Sequence, residues 1–139
     1  MKPYYYNAIV RRVVDGDTVI LDIDLGFNVV LHNQSVRLKG VDTPECRTRN
    51  SIEKKAGLLA KKKVEEFLVK GDRIVIKTSI DKKGKFGRIL GVIHTDKTNV
   101  NDFLIENNYA VLYHGQSKND VWNVHLENFK KLEERGELI

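Results

Sequence analysis

One amphipathic stretch, opened by Asn50-Ser51-Ile52-Glu53 and closed by Lys70-Gly71, interrupts a chain otherwise rich in short β-branched segments. Asn50 can cap the free N–H groups of a helix, and Glu53, three residues on, completes the pattern of a capping box. Ile52, Ala56, Leu59, Ala60, Val64, Phe67 and Leu68 recur at helical spacing, which predicts a single apolar face. A cation followed by glycine then ends the helix. A sheet-forming chain broken only once by a long helix has few ways to fold.

Three strand-like segments precede that helix. Tyr4 to Val14 is aromatic and β-branched, and Asp15-Gly16 follows as a turn in which glycine can take a positive φ. Thr18 to Asp24 alternates apolar and polar residues towards its end. Phe27 to Leu31 resumes extended character, with a turn or bulge expected at His32-Asn33-Gln34 before Ser35 to Val41. Two further strands are expected, Arg73 to Thr78 and Arg88 to His94, joined by Asp81-Lys82-Lys83-Gly84-Lys85. Asn99 can cap a short helix, and a last helix carries Trp122, His125, Leu126 and Phe129 on one stripe. The expected fold is mainly β with α (α+β): a five-stranded Greek-key barrel of the OB-fold type with three helices.

The 139 residues suit one domain, expected over residues 1–139. No apolar run approaches the roughly 20 residues needed to span a bilayer, and Met1-Lys2-Pro3-Tyr4 does not open a signal peptide. The lone Cys46 can form neither an internal disulfide nor a Cys-based zinc site. The expected location is cytoplasmic, with export by another route left open, and the expected state is monomeric.

Net charge is +5, but it is unevenly spread: Arg47 to Arg88 holds fourteen basic residues against five acidic ones. Such a block is the footprint of a polyanion binder, although lysines on a solvated helix face also contribute to it.

Three acids stand near turns: Asp17 after Asp15-Gly16, and Asp42 and Glu45 within Val41-Asp42-Thr43-Pro44-Glu45. Clustered carboxylates offer hard oxygen ligands suited to Ca²⁺ or Mg²⁺. Each stretch taken alone also reads as an ordinary turn. Arg37 lies in the strand that delivers Asp42, and Arg88 opens the fifth strand. Their forked, permanently charged donors match phosphate oxygens and the charge of a phosphorane-like transition state. Strand alternation puts Arg37 and Asp42 on opposite faces, and Gly40 is the place where a bend could realign them.

Val14-Asp15-Gly16-Asp17-Thr18, Arg37-Leu38-Lys39-Gly40-Val41-Asp42-Thr43-Pro44-Glu45 and Phe86-Gly87-Arg88 resemble, in order and spacing, the signature segments of the staphylococcal nuclease (thermonuclease) family. The resemblance runs from about Tyr4 to Glu134. It implies a Ca²⁺-dependent phosphodiesterase acting on DNA and RNA, which cleaves the bond to the 5′-oxygen and leaves 3′-phosphates. It also implies roles. Asp17 and Asp42 would hold Ca²⁺ through side chains and Thr43 through its carbonyl. Glu45 would act on the attacking water as base or orienting group, Arg37 would bridge phosphate and transition state, and Arg88 would stabilise phosphorus and the leaving oxygen.

Lys82, Lys83 and Lys85 are the expected phosphate contacts, and Tyr113 lies near a family tyrosine that packs on the nucleotide, or is a half-buried strand residue. Phe86 departs from the family, which commonly has a tyrosine there. Single strands are the expected preference, because a shallow barrel groove holds unpaired bases more easily than a stiff duplex. The alternative is a catalytically silent OB-type module that binds nucleic acid or protein.

Overall fold

The computed structural model describes residues 3–81, 88–96 and 98–138. Five strands form the barrel: β1 (Tyr5–Asp15), β2 (Thr18–Gly26), β3 (Val29–Leu38), β5 (Arg73–Asp81) and β6 (Arg88–His94). The short strands β4 (Val41–Asp42) and β7 (Val111–Leu112) make a separate antiparallel pair. The helices are α1 (Ser51–Phe67), α2 (Val100–Glu106) and α3 (Lys118–Glu134). The barrel closes in the order β1-β2-β3-β6-β5, and β5 returns to pair with β1. Its neighbours are antiparallel except β3 and β6, which run parallel with Val36 opposite Ile89 and Arg37 opposite Leu90.

Alternation fills the barrel. Val10, Val19, Leu21, Val36, Leu38, Ile76 and Ile93 point inward and are fully buried. Gly91 makes room among them, because a Cβ there would stand 2.6 Å from Ile76 Cδ1 and 2.8 Å from Val36 Cγ1. Asn101 of α2 serves as a polar plug. Its side-chain oxygen accepts from the Ile93 N–H, and its amide donates to the carbonyls of Lys39 and Gly91. A buried amide satisfied on three sides fixes its neighbours, here the turn that follows β3.

Asn50 caps α1 as expected, with the Glu53 N–H donating to Asn50 Oδ1 at 3.0 Å. The Asn50 N–H, however, donates to Thr48 Oγ1 at 3.3 Å, in place of the Glu53 carboxylate of a capping box. Ala56, Ala60 and Val64 are buried beneath the helix, with Leu68 at its C-cap. Two further expectations differ. The helix ends at Phe67, before Lys70-Gly71, and Ile52 in its first turn is 47% exposed, outside the buried face. The bulge expected at His32-Asn33-Gln34 is present inside a continuous β3, where the register against β2 slips between the Leu21–Gln34 and Ile23–Leu31 pairs. Asn33 takes a positive φ of 53° there, and its N–H donates to Asp22 Oδ1. No helix among the described residues is long and apolar enough to cross a membrane.

Candidate active site

Two turns meet over α1 at one end of the barrel. The first is the two-residue hairpin between β1 and β2, where Asp15 pairs with Thr18 and Gly16-Asp17 form the loop. Gly16 is needed for its lack of a side chain, not for the positive φ expected of it. A Cβ there would stand 2.9 Å from Thr43 Cγ2 and 3.0 Å from Ala60 Cβ. The second turn carries Thr43-Pro44-Glu45. It rests on Gly57 of α1, where a Cβ would come within 2.5 Å of the Glu45 carbonyl oxygen. Small residues on one helix therefore seat both acidic turns.

Gly40 supplies the bend that strand alternation requires. Its φ is +73°, a left-handed conformation that glycine adopts without penalty. The chain reverses the face it presents, and Arg37 Nη2 comes within 3.4 Å of Asp42 Oδ1 and 3.3 Å of the Val41 carbonyl. The same nitrogen lies 3.8 Å from Asp17 Oδ2, while the Thr43 N–H donates to that oxygen at 3.4 Å. Asp42 is further held by β4, where it pairs with Val111 of β7.

The result is a cleft of about 170 Å³ lined by Asp15, Asp17, Thr18, Arg37, Asp42, Thr43, Pro44 and Glu45. Four acidic residues and one arginine line it, and the guanidinium lies near two of the acids, Asp17 and Asp42. Glu45 feels the excess: partial burial pushes its carboxyl above the ordinary value, and the charges of Asp17, Asp15, Asp42 and Glu53 push the same way. Cys46 beside it is no activated thiol, since burial and neighbouring Asp15 raise it. A larger groove of about 370 Å³ between α2, β7 and α3 mixes apolar residues with Glu127 and Lys131, and it holds none of these acids.

The expected residues divide by place. Asp17, Arg37, Asp42, Thr43 and Glu45 come together in the cleft. Arg88 does not line it. It is exposed at the start of β6, and alternation against inward Gly91 and Ile93 puts it on the barrel's outer face, as Arg37 is on β3. Tyr113 is 45% exposed, with its N–H donating to the Gly40 carbonyl, so it flanks the bend and is not half in the core. Lys82, Lys83, Lys85, Phe86 and Gly87 lie outside the described residues.

Two contributors are absent from the expected site residues. Asp15 lines the cleft, though by sequence it reads only as a turn residue. His125 of α3 reaches across 83 residues of chain to place Nε2 2.8 Å from Asp42 Oδ2. The available signal is weak: a histidine on the apolar stripe of a helix.

The donor set suits a hard divalent cation, because its oxygens carry surplus negative charge and no soft ligand accompanies them. Among the described residues, no three His, Cys, Asp or Glu side chains converge as a ready-made cage.

The family described as "Staphylococcal nuclease homologue" matches residues 35–136. The chain is 35% identical over 114 residues to Endonuclease YhcR of Bacillus subtilis, covering 78% of this chain and 9% of that protein. It is 33% identical over 87 residues to Thermonuclease of Staphylococcus intermedius, covering 63% and 48% respectively. Over 107 residues it is 29% identical to Endonuclease YncB of Bacillus subtilis, covering 75% and 46%. The chain thus spans about half or less of the length of these relatives. With Asp17, Arg37, Asp42, Thr43 and Glu45 gathered in one cleft on a closed five-stranded barrel, the chain belongs to the staphylococcal nuclease homologue family.

Proposed function

We propose that this chain is a nuclease, a Ca²⁺-dependent phosphodiesterase that hydrolyses DNA and RNA. The observation that carries the reading is the acidic cleft, in which Arg37 lies between Asp17 and Asp42 while Glu45 stands beside them. The relatives named as nucleases support the same activity. Asp17, Asp42 and the Thr43 carbonyl would hold the cation. Bound there, Ca²⁺ would neutralise phosphate charge and polarise a phosphate oxygen.

The chain's own groups do the rest. Arg37 and Arg88 offer planar donor forks to the non-bridging oxygens, whose charge grows in the transition state. Glu45 orients the attacking water or takes its proton. Its raised affinity for protons brings it closer to the working range of a general base. Water adds to phosphorus, the bond to the 5′-oxygen breaks, and that oxygen leaves with a proton. The products are a 3′-phosphate and a 5′-hydroxyl. Lys82, Lys83, Lys85 and Tyr113 would hold the flanking strand, with single strands preferred.

A DNA and RNA zymogram with Ca²⁺ added or chelated tests this. Clearing that needs Ca²⁺ is expected. Undiminished clearing in excess EGTA after metal stripping contradicts the cation's role, and no clearing of either polymer favours a silent binding module.

A further inference from the structure

His125 is 3% exposed, and its ring packs at 25° to Phe129, with centroids 6.1 Å apart, and beside Trp122. Nε2 meets Asp42 Oδ2 at 2.8 Å, whereas Nδ1 is buried with no partner among the described residues. A ring proton on Nδ1 would have no acceptor, so the structure favours the tautomer that carries it on Nε2 and donates it to Asp42. In the same aromatic surroundings a phenylalanine would pack without stranding a nitrogen. The imidazole is therefore explained by its bond to Asp42, not by packing.

That bond has a geometric consequence. Asp42 Oδ2 is tied to α3, while Oδ1 lies 3.4 Å from Arg37 Nη2. The Asp42 side chain remains 31% exposed in the cleft. With one oxygen fixed, the carboxylate cannot rotate freely, and the other oxygen is presented to the cleft. Outer hydrogen bonds of this kind set the orientation of metal-binding groups.

We propose that His125 is a positioning residue, whose Nε2–H holds Asp42 oriented for a divalent cation and so sets cation affinity. This rests on the reading of the cleft as a Ca²⁺ site. The test is Ca²⁺ titration calorimetry on the whole chain without nucleic acid, comparing the parent with Asp42→Asn, His125→Phe and His125→Gln.

Phenylalanine keeps the ring and removes the donor, so affinity should fall about 10- to 100-fold with the circular dichroism spectrum unchanged. Glutamine places an amide donor at similar reach and should restore affinity to within a few-fold of the parent. At saturating Ca²⁺, His125→Phe should regain most of its turnover. Nitrogen-resolved NMR of the parent imidazole should show the proton on Nε2.

Parent-like Ca²⁺ affinity in folded His125→Phe, alongside weakened binding by Asp42→Asn, overturns the positioning role and leaves the cation site standing. A parent that binds no Ca²⁺ overturns both. Should His125→Phe not fold, the parent spectrum decides, because an Nδ1–H tautomer contradicts the proposed bond.

Discussion

Gly57 of α1 lies directly against the backbone of Glu45, so closely that a Cβ on it would stand 2.5 Å from the Glu45 carbonyl oxygen. Backbone cannot swing aside as a flexible side chain can. Gly57→Ala would gain about 1 kcal/mol of helix propensity but incur about 1–3 kcal/mol of overpacking. The account expects net destabilisation in chemical denaturation. Because the Glu45 turn must move, it also expects a loss of turnover larger than the loss of folded protein, measured on the same sample.

The proposed role of Glu45 sets activity against stability. Its folded-state affinity for protons is raised, through partial burial and then through Asp17, Asp15 and Asp42. The stabilising contribution of such a group is present below its unfolded value and is lost as pH rises through the folded one. Glu45→Gln should therefore raise the thermal midpoint at pH 7, with the advantage shrinking as pH falls towards 4.5. The same change should lower turnover by about 10²-fold or more. In the parent, turnover should climb with pH as Glu45 ionises. Thermal scans and rates across pH check both signs.

The parts of this arrangement that are legible in sequence are the local ones. Asn50 caps α1 because its side-chain oxygen and the donating Glu53 N–H lie three residues apart, and the first strands declare themselves by β-branched alternation. The acids of the cleft are legible as motifs. What makes them a site is not local. Gly16 serves Thr43 and Ala60 by close approach, which no turn rule specifies, and Gly40 reverses the face that alternation assigns to Asp42. The bond from His125 to Asp42 exists only once α3 lies beside the β4–β7 pair.

Cation binding should stabilise the fold. A ligand that binds only the native state at 100 times its dissociation constant adds about 2.7 kcal/mol. The thermal midpoint of the parent should rise with Ca²⁺, and Asp17→Asn or Asp42→Asn should flatten that rise. Calorimetric scans at graded Ca²⁺ read this directly, and an undiminished rise in either variant would remove that residue from the ligand set.

The basic segment should govern affinity and leave chemistry alone. Each phosphate neutralised by a lysine releases counterions, so binding falls steeply with salt. Charge reversal at Lys82 and Lys83 should weaken binding of a short single-stranded oligonucleotide and flatten the slope of log affinity against log salt. Turnover at saturating substrate should stay close to the parent's. Identical slopes would show that these lysines do not touch the backbone.

The most direct test of the cleft as a phosphodiesterase centre is the chemistry of its product ends. A defined single-stranded oligonucleotide should be digested by the parent, by Glu45→Gln and by Arg88→Ala, each in Ca²⁺ and in excess EGTA. The account predicts 3′-phosphate and 5′-hydroxyl ends from the parent in Ca²⁺ alone, with both variants folded and slower by about 10²-fold or more. Equal rates for parent and variants, or 5′-phosphate ends, would contradict it.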